Sequence, residues 1–311
     1  MNIVFMGTPD FAVPCLQSLI DDGHNLLAVY TQTDKPKGRG HKLMPSPVKE
    51  LAMKHGIQVL QPTSLRSEEE IEIFCSFDAD LCVVVAYGKI LPTKILTAPR
   101  FGCVNVHGSL LPLYRGAAPI QWSVLDGCSV TGVTTMYMAE GLDEGDIILK
   151  EEISVGDNDT SGNVYDKLSI LGAALIKKTV RMIEKGDAPR IPQTETGITP
   201  TYAPKMKKEM SQMDFNQSAQ VLHNLVRGLY PWPVARTMVN GKSLKVFNTM
   251  VIKGQYNEYK MGQLVCDDRF VIKCGDGNAL ELLEVQVDGK KRSSGSDFIR
   301  GYRLKIGTEI G

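Results

Sequence analysis

The run Asp-Leu-Cys-Val-Val-Val-Ala at residues 80–86 restricts this chain to few architectures. A strand with one face in water alternates apolar and polar side chains. This run does not alternate, so both faces are buried, which calls for helices on each side of a mostly parallel sheet. Further apolar runs surround it at residues 3–6, 25–31, 103–106, 130–138 and 147–155. Between them the spacing turns helical: Phe11, Val13, Leu16, Leu19 and Ile20 after Asp10, then 47–55, 116–126 and a long amphipathic stretch over 160–185 with Thr160 as its cap. Strands alternating with helices predict an α/β fold with a Rossmann-like, doubly wound, mostly parallel sheet. In such sheets ligands bind beyond the carboxyl ends of the strands.

Residues 186–207 change character. Gly186, Pro189, Pro192, Pro200 and Pro204 interrupt any period. The chain is long enough for two cores. The expected organisation is a catalytic domain over 1–188, a linker over 189–207 and a C-terminal domain over 208–311. In the last, one helix over 218–229 precedes short strand-like runs, with turn signals at Asn240-Gly241, Asp267-Asp268, Gly275-Asp276-Gly277 and Asp288-Gly289. That pattern predicts a small β-barrel.

Composition excludes several classes. The seven cysteines form no CxxC pair and the five histidines are dispersed, which argues for reduced thiols in a cytoplasmic protein without a metal site. No apolar run reaches membrane-spanning length, and Met1-Asn2-Ile3 enters a strand without the basic segment of a signal peptide. Net charge is zero but uneven. Residues 1–205 carry 19 basic and 24 acidic side chains, whereas 206–311 carry 16 and 11. An uneven solvated surface and a domain facing a polyanion both fit that balance.

Chemistry concentrates at Asn105-Val106-His107-Gly108-Ser109-Leu110-Leu111-Pro112, directly after an apolar run. Alternate residues of a strand share a face, so Asn105 and His107 look into one site. A fixed amide donor beside an imidazole suits acyl chemistry, where a carbonyl oxygen becomes an oxyanion and a proton must move. Gly141-Leu142-Asp143-Glu144-Gly145-Asp146 is either a solvated turn or a loop that brings Asp143 against His107. Gly7-Thr8-Pro9-Asp10 occupies the place of a dinucleotide fingerprint but lacks GxGxxG, which disfavours NAD. Lys35, Lys37, Arg39 and Lys42 lie on a long Gly/Pro-containing loop, suited to phosphates or simply solvated. Tyr114-Arg115-Gly116-Ala117-Ala118-Pro119 is either a helix-start turn or a stretch in which Gly116 permits close backbone approach with Arg115 near an anion.

Taken in order, FMGTPDF, the basic loop ending in LMPSPVK, VVVAYG, NVHGSLLP, YRGAAPIQ, GLDEGD and TYAPK resemble the methionyl-tRNA formyltransferase family from residue 5 to about residue 205. The C-terminal part is similar more weakly, through Tyr230-Pro231-Trp232-Pro233 and its β-rich pattern. The resemblance implies formyl transfer from 10-formyltetrahydrofolate to the α-amine of methionine on initiator tRNA. It implies a catalytic triad of Asn105, His107 and Asp143. Folate contacts would come from Ser109, Leu110, Leu111 and Pro112, with Tyr87 and Gly88 at the neighbouring strand end. A tRNA-acceptor loop would span 34–49, with Lys35, Lys37, Arg39 and Lys42 as its basic residues, and the C-terminal domain would be an OB-like β-barrel that contacts tRNA. The expected enzyme is a monomer that needs no metal and no membrane. Thr33 and Tyr230 depart from the family pattern, and neither belongs to the triad.

Three other readings stand beside this one. A related formyltransferase would act on a purine precursor or a nucleotide-linked amino sugar; the basic loop and the basic C-terminal part speak against a small acceptor. A folate- or RNA-binding protein without turnover would not need all of Asn105, His107 and Asp143. An NAD-dependent oxidoreductase is suggested by fold alone.

Overall fold

The computed structural model describes residues 1–37 and 42–311, apart from the side chains of Lys37 and Lys42. Arg39 lies outside the described residues. Two compact units emerge. The first comprises residues 1–119, 130–154 and 165–203, and the second residues 120–129, 155–164 and 204–311.

The first unit is built on a seven-stranded sheet ordered Ile147–Ser154, Val130–Tyr137, Cys103–His107, Leu81–Val85, Asn2–Gly7, Asn25–Tyr30 and Val59–Leu60. Neighbours are parallel from Val59–Leu60 through Cys103–His107. Val130–Tyr137 pairs antiparallel with both of its neighbours, Cys103–His107 and Ile147–Ser154. Leu81–Val85 sits near the middle and is buried along its whole length, as its unbroken apolar run requires. The antiparallel edge follows from chain length. Only a short loop separates Val130–Tyr137 from Ile147–Ser154, and a parallel return needs a crossover of a dozen or more residues.

The helix Glu68–Ser76 was not expected from apolar spacing. Local chemistry supports it: the Ser67 hydroxyl accepts the Glu70 N–H at 3.4 Å, and Glu68, Glu69 and Glu70 occupy its first turn. Carboxylates there oppose the positive end of the helix dipole. The expected cap of the long helix Ser161–Lys185 is present, because Thr160 N–H donates to Asn163 Oδ1 at 3.0 Å and Asn163 N–H returns a bond to Thr160 Oγ1 at 3.2 Å.

The carboxyl half of that helix carries a charge cluster. Asp22, its side chain 8% exposed, meets Lys177 Nζ at 2.9 Å and Arg181 Nε at 2.9 Å. Arg181 first, then Lys177, hold its carboxyl down to about 2 against the opposing effect of burial. A carboxylate depressed in the folded state contributes stability above its unfolded value of about 3.9, and that contribution is lost as pH falls through the folded value. Asp22→Asn should cost about 1 kcal/mol at pH 7, since exposed cations are screened. Urea unfolding should show the gap between variant and parent narrowing from pH 4 toward pH 2. A gap constant with pH would contradict the assignment.

The second unit contains a five-stranded antiparallel sheet. Its path runs Ala235–Val239, Lys242–Ile252, Ala279–Val287, Val271–Lys273, and Ser293–Ser294 pairs with Ala279–Val287. The Asn240-Gly241 signal does form a two-residue hairpin, with φ of +48° and +71° as a type I′ turn demands. The strand path among the described residues is open, so the expected barrel is seen only as a sheet domain. The helix Ala219–Gly228 belongs to the same unit, and the Ser218 hydroxyl accepts the Val221 N–H at 3.2 Å as its cap.

Candidate active site

Cys103–His107 lies between a parallel neighbour, Leu81–Val85, and an antiparallel one, Val130–Tyr137. Asn105 and His107 share a face of this strand and reach its carboxyl end. Register pairs Val84 with Asn105, so exposed Ala86 and Gly88 emerge beside His107. Ala86 has φ of +47°, a left-handed conformation that a side-chain-bearing residue holds only under constraint. Tyr87 is buried, and its carbonyl accepts Thr8 Oγ1 at 3.1 Å and Gln32 Nε2 at 2.9 Å. The Gly7-Thr8-Pro9 turn is thereby tied to the same end of the sheet.

After His107 the chain leaves the sheet in a compact turn. Ser109 is fully buried and its hydroxyl donates to the Leu113 carbonyl at 2.6 Å. The Thr134 hydroxyl donates to the Ser109 carbonyl at 2.7 Å and accepts the Leu111 N–H at 3.1 Å. Leu111 packs with Met136 and Ile147. Pro112 is also buried, whereas Leu110 is half-buried. Within Ser-Leu-Leu-Pro, therefore, Ser109 and Leu111 secure the turn and Leu110 remains accessible.

The turn delivers Tyr114-Arg115-Gly116 to the face that carries His107. His107 is 5% exposed, and its Nε2 lies 2.9 Å from the Tyr114 carbonyl oxygen. A carbonyl only accepts, so Nε2 carries a proton. On the other side of the ring, Nδ1 lies 3.7 Å from Asp143 Oδ2. That separation is an ion-pair distance too long for a direct hydrogen bond. Asp143 is the residue that the Gly-Leu-Asp-Glu-Gly-Asp loop was expected to bring to His107, and the loop does so. Its Oδ2 accepts the Gly116 N–H at 2.8 Å. The Asn105 amide is half-buried and has no hydrogen-bond partner among the described residues.

Two glycines permit this approach. Gly116 has φ of +120°, and a Cβ there would lie 2.8 Å from the Ala203 carbonyl oxygen. A Cβ on Gly145 would lie 1.7 Å from the Tyr137 carbonyl oxygen, so the acidic loop can fold against the sheet only with glycine at that position.

The anion beside Arg115 is one of the protein's own, the Glu144 carboxylate. Arg115 is buried, its Nε and Nη2 donate to Gln193 Oε1 at 3.1 and 2.8 Å, and Nη1 meets Glu144 Oε1 at 3.2 Å. Its donors are committed inside the protein. Sequence reasoning also missed Gln193, Thr201 and Ala203. Tyr202–Ala203 pairs in parallel with Arg115–Gly116, Thr201 Oγ1 accepts the Tyr114 N–H at 2.8 Å, and the Ala203 carbonyl accepts the Ala117 N–H at 2.9 Å. The proline-punctuated stretch around them read as bare connection. The only signal was TYAPK, a motif with no role that spacing could supply.

Lys35 belongs to a hairpin of Lys35–Lys37 and Lys42–Met44, and its Nζ donates to Gln32 Oε1 at 2.8 Å. At the base of the hairpin Lys49 Nζ donates to Asp34 at 2.8 Å and to Gln61 at 2.7 Å. Lys49 and Gln61 hold the Asp34 carboxyl below its usual range. The backbones of Lys37 and Lys42 are in the hairpin; their side chains, and Arg39, are not described.

A half-buried amide and an imidazole that lies between a carbonyl and a carboxylate stand together at the carboxyl end of an α/β sheet, an arrangement suited to acyl transfer. The formyl transferase family model matches residues 1–180, and the formyl transferase C-terminal domain model matches residues 205–303. The chain belongs to the formyl transferase family. It is 48% identical over 312 residues to the methionyl-tRNA formyltransferase of Clostridioides difficile, and 47% identical over 317 residues to that of Lachnospira eligens, covering 100% of each chain in both comparisons. Its fold is similar to that of an N-formyltransferase from Helicobacter canadensis, solved in complex with folinic acid and dTDP-3-aminofucose. That likeness has a TM-score of 0.67 at 18% identity and covers 90% of this chain and 98% of the other. Among the described residues, no helix is long and apolar enough to cross a membrane.

Proposed function

We infer that this enzyme transfers the formyl group of 10-formyltetrahydrofolate to the α-amine of methionine on charged initiator tRNA, giving formylmethionyl-tRNA for translation initiation. The carrying observation is the His107 ring held between the Tyr114 carbonyl and the Asp143 carboxylate, beside an Asn105 amide that has no hydrogen-bond partner among the described residues.

The acceptor amine has a pKa of roughly 7.7–8.0, so a neutral fraction is available at physiological pH. Its nitrogen forms a bond to the formyl carbon, and the carbonyl oxygen gains negative charge. Asn105 donates an amide hydrogen to that oxygen. With Nε2 committed to Tyr114, His107 offers Nδ1–H as the second donor. The 3.7 Å gap leaves that proton free of a direct bond to Asp143. The Asp143 carboxylate stabilises the imidazolium and accepts the proton released by the amine. Collapse of the intermediate breaks the bond to the folate nitrogen, which takes up that proton. No covalent enzyme intermediate is needed.

The folate donor is a flat group with a hydrogen-bonding edge. Exposed Ala86 and Gly88 and half-buried Leu110 border the catalytic face, while Ser109, Leu111, Pro112 and Tyr87 stand behind them as the buried wall. These residues fit such a ring through backbone groups and apolar contact. Lys35, Lys37, Arg39 and Lys42 supply cations for the tRNA phosphates.

The C-terminal domain is read as an OB-like barrel that meets tRNA. Support comes from backbone pairing outside the strand path. Leu264 bridges Ile272, Gln263 bridges Glu309, and Gly311 N–H donates to the Met238 carbonyl at 3.0 Å. Those links run from the Val271–Lys273 edge toward the Ala235–Val239 edge, the direction that closure requires. The domain division at 188 and 208, a monomeric state and a cytoplasmic setting complete the reading.

An acid-gel assay with 10-formyltetrahydrofolate, charged initiator tRNA and charged elongator tRNA tests it. Formylation of the initiator alone is expected. Turnover of a nucleotide-linked amino sugar, with neither tRNA modified, would overturn it.

A further inference from the structure

Gln193 lies at the start of the short 3-10 turn Gln193–Thr196 and is 4% exposed. Its amide is fully used. Oε1 accepts Nε and Nη2 of Arg115 at 3.1 and 2.8 Å, and Nε2 donates to the Asp143 carbonyl at 2.7 Å and the Gly145 carbonyl at 2.9 Å. Arginine only donates and carbonyls only accept, so the amide can face only one way. Asp143 itself has φ of +53°. A non-glycine residue holds that conformation only when its surroundings over-determine it.

The Tyr114-Arg115-Gly116 tripeptide therefore grips the acidic loop at three points, one of them the Arg115–Glu144 ion pair at 3.2 Å. Gly116 N–H holds the Asp143 carboxylate directly, and Arg115 holds the Asp143 backbone through Gln193. The same tripeptide supplies the carbonyl that orients His107. We propose that Gln193, backed by Arg115, is a positioning residue of the formyl-transfer reaction: it fixes the backbone of Asp143 so that the carboxylate faces His107 Nδ1. This rests on the reading of Asp143 as part of the catalytic group.

The isosteric change Gln193→Glu tests that positioning. The new carboxylate keeps Arg115 as an ion-pair partner but has no N–H for the Asp143 and Gly145 carbonyls. The chain should still fold, with a lowered thermal midpoint because a buried carboxylate oxygen now faces two carbonyl oxygens, while Asp143 loses the anchor on its backbone. Misplacement of a reacting group by about 1 Å can cost about 10²-fold in rate. We expect kcat for Gln193→Glu to fall about 10- to 100-fold, with KM for folate and for charged tRNA within about threefold. A residue that acts through Asp143 has nothing left to position once that carboxylate is gone. In the Asp143→Asn background, Gln193→Glu should therefore change kcat by less than about twofold.

Equal loss in both backgrounds, or an unchanged kcat in the single variant, overturns the proposal. If Gln193→Glu fails to fold, Arg115→Lys, which retains the charge but not the fork, is measured in the same two backgrounds and decides by the same criterion. The Asp143→Asn single variant stands as its own arm. Parental turnover there refutes the catalytic reading of Asp143, whereas loss there with a normal Gln193→Glu refutes only the positioning role.

Discussion

Replacing His107 with alanine lowers the single-turnover rate of formylation about 10²–10³-fold, or about 2.7–4 kcal/mol of transition-state stabilisation, the usual cost of removing one oxyanion donor. Binding should survive the change. His107 is nearly buried, and its Nε2 bond goes to the protein's own Tyr114 carbonyl, leaving only Nδ1 to face the reacting group. An interaction made only in the transition state lowers kcat and kcat/KM together and leaves KM near its parental value. His107→Asn provides the companion measurement. Its shorter amide overlays Nδ1 and can still donate there, but it cannot reach the Tyr114 carbonyl and cannot carry the imidazolium charge, so it should lie between alanine and the parent. Near-parental single-turnover rates in both variants would remove His107 from the chemistry.

Asp143→Asn is expected to cost about as much, for a different reason. The amide oxygen can still accept the Gly116 N–H, so the loop should keep its shape. What disappears is the negative charge 3.7 Å from His107 Nδ1 and the acceptor for the amine proton. Proton acceptors in such positions typically contribute about 10²–10⁴-fold. Equilibrium binding of the folate donor and of charged tRNA, measured without turnover, should stay within about threefold of the parent. A large loss of folate affinity with normal turnover at saturation would make Asp143 a binding residue instead.

Much of the first unit was legible because its physics is local in sequence. The unbroken apolar run over 81–86 required a strand buried on both faces, and the strand Leu81–Val85 is that element. Alternation by two placed Asn105 and His107 on one face before any contact was known. Elements with weak apolar spacing were not legible. Glu68–Ser76 is supported by its Ser67 cap and acidic first turn rather than by an apolar stripe, and Val59–Leu60 has only two residues in which to show a period. The expected barrel is a case of closure. Hairpin turns such as Asn240-Gly241 announce strands, but which edges meet depends on pairings between residues far apart in the chain.

The candidate site divides along the same line. Residue type, strand period and the absence of a glycine fingerprint, a cysteine cluster or a serine nucleophile placed acyl chemistry at Asn105 and His107. These are properties of adjacent residues, which covalent geometry alone brings together. The partners of His107 come from elsewhere: a carbonyl seven residues on, a carboxylate on a separate loop, and a glutamine 86 positions away that holds that loop through Arg115. None has a spacing that could announce it, because a hydrogen bond depends on distance in space and leaves no period along the chain. Residues 193–203 show this most plainly. Their prolines and irregular pattern describe a connection, and only the folded chain makes them the brace behind Tyr114, Arg115 and Asp143.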